Sequence, residues 1–334
     1  MPLDENDRLQ AGTLPDDPAA DAVVVSDDVP RVLTVRDLTN GAVKRSSDRA
    51  RRHTCTTGNY RLDQITGGLK PGFVWTIGAA TSWGKSSLLV MIADENIKRG
   101  KRVLIVSSED SEQIYGDRLL LRRARISANN LRMKRLTPEE REAAIGVAKR
   151  AEDSPVFLDA RGRGVEWLAP RVKRLIVEHA IDVVAFDYLQ AFDNQKAQQD
   201  RRNQVSYIAR VLTDITKTAV PGGIAGILFS QLTENEKKLH PDKNSIRDSR
   251  DVSHAAEVIL LGFTPEKPID SDKWGMIQAG ERCLFADKVK DGPRGALLPM
   301  KWDEHSACFD AIEDPEAAAT RALVDDLSDN FEDL

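Results

Sequence analysis

Residues 76–87 read Thr76-Ile77-Gly78-Ala79-Ala80-Thr81-Ser82-Trp83-Gly84-Lys85-Ser86-Ser87. Just before them, Phe73 to Ile77 forms an apolar run of the kind a buried strand needs. After the small-residue turn and Gly84-Lys85-Ser86, the residues Leu88, Leu89, Val90, Ile92 and Ala93 open an apolar helix. Strand, tight loop, Gly-Lys-Ser and helix make the setting of a phosphate-binding P-loop. The chemistry dictates these residue types. Loop N–H groups and the helix N-terminus aim donors at anionic phosphate oxygens. The nucleotide-binding stretch is therefore Ala80, Thr81, Ser82, Trp83, Gly84, Lys85, Ser86 and Ser87. Gly84 lets the backbone approach closely, Lys85 is a fixed cation for the outer phosphates, and Ser86 offers a hydroxyl to Mg2+. The usual opening glycine is Ala79 here, with Gly78 one residue early.

A P-loop needs a metal-holding carboxylate, a group that activates water and a stabiliser of developing charge. Val183-Val184-Ala185-Phe186-Asp187 is an apolar strand ending in an acid, the Walker B pattern, which assigns Asp187 to Mg2+ through water. Val103 to Ser108 ends on Glu109, a carboxylate suited to take a proton from attacking water. Gln231 follows another apolar strand and is suited to report the γ-phosphate to the next loop.

Apolar strand-like runs and helical patterns alternate outward from this point. Strands are predicted at 73–79, 103–107, 156–158, 183–186, 223–229, 258–261, 283–286 and 297–300, and helices at 85–98, 111–124, 138–151, 165–179 and 201–219. Several strands are continuous apolar runs, the mark of a sheet covered on both faces. The alternation predicts an α/β fold with a mostly parallel twisted sheet, helices on both faces and ligands at the strands' carboxyl ends. The polar stretch 238–252 between two strands reads as a functional or mobile loop.

The three cysteines, Cys55, Cys283 and Cys308, are scattered and fit a reducing cytoplasm rather than a disulfide framework. No apolar run is long enough for a membrane span, and the acidic start is not that of a signal peptide. Net charge is −5, yet residues 1–30 carry −7 and residues 310–334 carry −8, which leaves +10 on residues 31–309. A basic core between acidic tails suits a polyanionic partner. The domain expectation is a disordered acidic tail at 1–30, an arm and linker at 31–55 with a short element at Arg31–Leu38, an ATPase core at 56–311 and a second acidic tail at 312–334. That last tail, with its few apolar anchors, is a candidate hook for a partner.

Residues 57–69, Thr57-Gly58-Asn59-Tyr60-Arg61-Leu62-Asp63-Gln64-Ile65-Thr66-Gly67-Gly68-Leu69, resemble the start of the motor domain of DnaB-type replicative helicases. Thr81 to Ser86 is similar to that family's P-loop. Ser108 to Ile114, with Arg118 and Leu119, resembles its catalytic-glutamate segment, and Asp187-Tyr188-Leu189-Gln190 its Walker B signature. Gln204 to Arg210, Phe229 to Leu232, Ile246 to Ser249 and Lys288 to Pro293 continue the likeness in collinear order. The resemblance implies a RecA-like core in a homo-oligomeric ring, usually a hexamer, with ATP and Mg2+ between subunits. It implies Glu109 as general base, Arg118 as a phosphate contact in cis, Gln231 as sensor, and Lys288 and Lys290 reaching the neighbour's γ-phosphate. Loops after Asp187 and Gln231 would hold single-stranded DNA, with Arg247, Asp248 and Ser249 in the DNA-contacting loop, to which Arg250, a departure from the family, adds positive charge.

The chain departs from that pattern in places. Lys290 stands at the family's usual arginine finger, and a lysine lacks the bidentate fork. Arg250, Ser253 and His254 replace the residues that usually follow the DNA-contacting loop, and residues 1–55 are too short and polar to form the family's N-terminal collar domain. The expected function is an ATP-driven ring helicase or translocase on single-stranded DNA in phage- or plasmid-like replication. The alternative is a RecA-like ATPase in recombination, regulation or partner recruitment.

Overall fold

The computed structural model of this chain describes residues 34–36, 39–40, 43, 55–154, 156–192, 201–232, 241–242, 245–246, 252, 255–316 and 319, with only the backbone of 201–202. Two units divide it, Met1–His53 and Thr54–Leu334. In the first, residues 35–36, 39–40 and 43 are helical, and Thr39 Oγ1 donates to the Val35 carbonyl at 2.9 Å. Of the expected arm Arg31–Leu38, only residues 34–36 fall within the description.

The second unit runs α1 (Tyr60–Thr66), β1 (Val74–Ala79), α2 (Lys85–Ile97), β2 (Val103–Ser107), α3 (Glu112–Ala124), α4 (Ala128–Arg132), α5 (Pro138–Lys149), β3 (Phe157–Asp159), α6 (Val165–Glu178), β4 (Val183–Asp187), α7 (Arg201–Thr218), β5 (Ala225–Gln231) and β6 (Val258–Phe263). It continues with β7 (Ile269–Asp270), β8 (Met276–Ile277), β9 (Cys283–Val289), β10 (Ala296–Pro299), β11 (Trp302–Asp303) and β12 (Cys308–Phe309). Eight strands form one sheet in the order β10-β9-β6-β1-β5-β4-β2-β3. From β6 to β3 all neighbours are parallel; β9 and β10 close one edge antiparallel.

The continuous apolar runs are explained by burial on both faces. Successive residues of one strand enter opposite cores, because side chains alternate across a strand. Trp75, Ile77, Ile105, Ala185, Ile227 and Phe229 join the core under α2. Val74, Leu104, Val106, Val184, Phe186 and Leu228 join the core under α6 and α7. Side chains of this size stabilise the fold by about 1.5–3 kcal/mol each when fully buried. A sheet so enclosed leaves polar chemistry only at its strand ends.

α2 is buried almost all round, so its polar residues act as ties. Asn96 brackets the backbone of Thr56, accepting from its N–H at 2.9 Å and donating to its carbonyl at 2.8 Å. Asp94, fully buried, accepts from Arg122 Nε at 2.9 Å and Arg123 Nε at 2.6 Å on α3, and pairs with Lys98 at 2.9 Å. Arg122 also pairs with Glu95 at 2.6 Å and donates to the Phe309 carbonyl. One ionic knot thus joins α2, α3 and the hairpin β11–β12. At the domain's end, Ile312 pairs with Asn59: Tyr60 N–H donates to the Ile312 carbonyl at 2.7 Å and Ile312 N–H to the Gly58 carbonyl at 2.9 Å. Ile312, expected to open the acidic tail, is therefore bonded into the domain; residues 320–334 lie outside the description.

Burial raises the Asp94 carboxyl, but Lys98 and Arg123 outweigh it and hold the group below the usual aspartate range. A depressed folded value means stability that is complete above the ordinary aspartate pKa of about 3.9 and is lost as pH falls through the folded value. Asp94→Asn is expected to cost about 3 kcal/mol, because it removes the buried carboxylate shared by Arg122, Arg123 and Lys98 and leaves Arg122 with Glu95 alone. It should also flatten the acid limb of stability against pH, both read from urea midpoints.

Candidate nucleotide-binding site

β1 ends at Ala79 and α2 begins at Lys85, so residues 80–84 must turn the chain within one loop. Gly84 does so at φ +112°, a conformation side chains rarely adopt. Space forbids a side chain there as well. A Cβ on Gly84 would lie 3.0 Å from the Phe309 ring and 3.4 Å from the Trp302 ring. Trp83 locks the loop from behind: its Nε1 donates to the Phe263 carbonyl at 3.0 Å, and its ring meets Phe309 at 5.1 Å between centroids. Arg282 Nε donates to the Trp83 carbonyl at 2.9 Å while its guanidinium lies 3.6 Å over the Trp302 ring.

The half-buried Lys85 ammonium donates to the carbonyls of Ala79 at 3.1 Å and Ala80 at 3.3 Å. Burial lowers its pKa, while Asp187 and Glu109 push the other way. These three groups therefore share one electrostatic environment. Ser86 Oγ donates to Asp187 Oδ2 at 2.9 Å. Asp187, 1% exposed, is raised by burial against the hydrogen bonds from Tyr115 and Ser86. Registry between β2 and β4 pairs Ser107 with Asp187, and Ser108 N–H donates to the Asp187 carbonyl at 2.9 Å. Glu109 follows directly. It is exposed, and its carboxyl is raised by partial burial, Asp187 and Asp110.

Gln231 ends β5 opposite Ala79, and its Nε2 donates to Thr81 Oγ1 at 2.8 Å, in direct contact with the loop. Gln190 ties β4 to β5: its Nε2 donates to Ser230 Oγ at 2.8 Å and its Oε1 accepts from Gln231 N–H at 3.2 Å. Arg118 pairs with Asp110 at 2.6 Å. Thus Lys85, Ser86, Asp187, Glu109, Gln231 and Arg118 gather at the carboxyl ends of β1, β2, β4 and β5.

Lys288 and Lys290 lie elsewhere. Val289 pairs with Val258, which pairs with Trp75 near the start of β1. At about 3.3 Å per residue this is roughly 13 Å from Ala79 along the strand. Lys290 Nζ sits 5.3 Å over the Phe73 ring and Lys288 Nζ donates to the Ala256 carbonyl. Arg247, Asp248, Ser249 and Arg250 lie outside the described residues.

Three contributors had no sequence motif to mark them. Tyr115 donates its hydroxyl to Asp187 Oδ2, and the Trp302–Phe309 hairpin and Arg282 shape the loop from about 200 residues away in sequence. Only the inward spacing of Tyr115, Leu119 and Arg122 along α3 offered a hint.

This architecture, a parallel sheet with a Gly-Lys-Ser loop facing a strand-ending aspartate and glutamate, is that of a RecA-like nucleotide-binding core. The family model of the DnaB-like helicase C-terminal domain matches residues 54–311. The chain belongs to that family. It is 25% identical over 246 residues to the replicative DNA helicase DnaB of Geobacillus stearothermophilus, covering 72% of this chain and 53% of that protein. To the replicative DNA helicase DnaC of Bacillus subtilis it is 28% identical over 246 residues, with the same coverage of 72% and 53%. It spans about half the length of these curated relatives. Among solved structures, an ATPase domain aligns with a TM-score of 0.69 at 21% identity, covering 83% of this chain and 98% of that one. A DnaB-like replicative helicase whose structure addresses its interactions with primase aligns at 0.70 and 20% identity, covering 85% and 68%. These likenesses establish the fold.

Gly84→Ala is expected to weaken nucleotide binding, read with a fluorescent ATP analogue, and to lower stability by about 1–3 kcal/mol through strain at positive φ.

Proposed function

We propose that this chain is the ATP-driven motor of a ring-shaped helicase or translocase acting on single-stranded DNA during replication. The supporting observation is the convergence of Lys85, Ser86, Asp187, Glu109 and Gln231 on one phosphate-binding loop, in a member of the DnaB-like family. The Ser86 hydroxyl and Asp187 carboxylate form a hard oxygen pair 2.9 Å apart. That suits Mg2+, which takes one or two protein oxygens alongside phosphate and water. Among the described residues, no cluster of three His, Cys, Asp or Glu could form an all-protein metal cage. Bound there, Mg2+ neutralises charge on the outer phosphates.

Lys85 exchanges the Ala79 and Ala80 carbonyls for phosphate oxygens. Glu109 accepts the proton of the attacking water, a contribution of about 10²–10⁴-fold for a general base. Gln231 senses the γ-phosphate and transmits its state through β5 to the loop that follows, while Arg118 leaves Asp110 for phosphate. Lys288 and Lys290, at the far end of β1, act on the nucleotide of a neighbouring subunit in a hexameric ring. The loop carrying Arg247, Asp248, Ser249 and Arg250 grips the DNA backbone, which makes binding salt-sensitive. The acidic tail beyond Ile312 is offered as a hook for a replication protein. The three buried free thiols suit a cytoplasmic setting.

Lys290 favours a second reading, a RecA-like ATPase that does not unwind, because a lysine finger stabilises transition-state charge less well than arginine. ATPase rates with and without single-stranded DNA, beside strand displacement on a forked duplex, separate the two. Stimulation with displacement supports the helicase; stimulation without displacement leaves a translocase or the alternative; no turnover rejects both. Glu109→Gln should keep ATP binding while hydrolysis falls at least about a hundredfold. Mixing Lys290→Ala with Lys85→Ala, each inactive alone, should restore part of the turnover, since mixed rings pair an intact loop with an intact neighbouring lysine. No recovery would count against a role in trans.

A further inference from the structure

Tyr115 occupies the first turn of α3 and points inward, 5% exposed. Its hydroxyl donates to Asp187 Oδ2, the same oxygen that accepts from Ser86 Oγ at 2.9 Å. Asp187 Oδ1 accepts no hydrogen bond from the described residues. Two hydroxyls from two helices therefore share one carboxylate oxygen.

The ring is held by packing as well as by its hydroxyl. The ring meets Phe157 at 5.1 Å between centroids, tilted. Tyr115 and Phe157 both line an apolar pocket of about 130 Å³, together with Val90, Ala93, Ile105 and Leu119 among others. Protein interiors are usually filled closely; here the ring borders unfilled space while its hydroxyl is tied to Asp187. The ring further carries the Arg118 guanidinium 5.7 Å from its centroid, and Arg118 is paired with Asp110. Tyr115 thereby connects the metal-side carboxylate to the arginine assigned to phosphate.

We propose that Tyr115 is a positioning residue of the nucleotide site: with Ser86 it pins Asp187 Oδ2, fixing the rotamer that presents Oδ1 to the hydrated divalent cation. The inference deepens the proposed function, resting on Asp187 as the metal-side carboxylate. Without the tyrosine hydroxyl, a buried carboxylate keeps only Ser86 to orient it, and its second oxygen is no longer aimed.

Tyr115→Phe in the full-length chain removes the hydroxyl and keeps the ring. Two titrations read the effect: Mn2+ bound to the protein–ADP complex, by electron paramagnetic resonance, and a fluorescent ATP analogue with Mg2+ or with EDTA. A hydrogen bond to a charged group corresponds to roughly tenfold or more in affinity. Mn2+ affinity should fall by that factor, nucleotide affinity in EDTA should stay within about twofold, and the Mg2+ concentration for half-maximal turnover should rise. Tyr115→Leu, which extends into the apolar cavity, should show the same metal-specific loss and serves if the phenylalanine variant does not fold. Mn2+ affinity equal to wild type in either folded variant overturns the proposal, whatever happens to Tm. Asp187→Asn separates the two levels. If it too binds Mn2+ normally, the assignment of Asp187 fails; if it alone loses Mn2+, only the tyrosine's role fails.

Discussion

A sheet buried on both faces is the constraint from which the rest follows. The apolar residues of β1, β2, β4 and β5 send their side chains into one apolar core or the other. A charge inside those strands would carry a desolvation cost of several kcal/mol. Polar groups are thereby expelled to strand ends, and parallel pairing collects the carboxyl ends on one side. The candidate site is assembled by what the core refuses. Lys85, Asp187, Glu109 and Gln231 come from four segments well separated in sequence, yet each lies at or just past the end of an apolar strand.

That is also why so much was legible beforehand. Strand β2 was anticipated to the residue, Val103–Ser107, because its apolar run is bounded by Arg102 and Ser108. β4 gained only Asp187. Helices α2, α3, α5, α6 and α7 begin within one residue of their expected starts, where Gly84, Ser111, Thr137 and Gly164 precede the first four. The candidate residues with strand-end positions were legible for the same reason.

The unread portions share a different physics. α1 is seven residues long and depends on capping by Asn59 and on its Asp63 ties to Thr57, interactions with little periodicity to detect. The hairpin β11–β12 has two residues per strand and exists by packing on Trp83 and Arg282. Tyr115 looked like an ordinary inward aromatic, since its partner lies 72 residues away. Asp94 and Arg122 broke the apolar pattern of their helices, but only three dimensions pair them. Local patterns reveal elements that carry their own periodicity; they do not reveal contacts created when distant elements meet.

The hairpin behind Gly84 carries a temporal meaning. Residues 80–86 are synthesised early, whereas Trp302 and Phe309, which wall in Gly84 and Trp83, emerge more than two hundred residues later. Chains are made at about 5–20 residues per second, so the loop waits on the order of ten seconds or more on the ribosome without its backing. A nascent chain that has not yet passed Phe309 has the phosphate-binding sequence but lacks the aromatic wall that shapes it. The wall that backs the loop is thus completed only as translation of the domain closes.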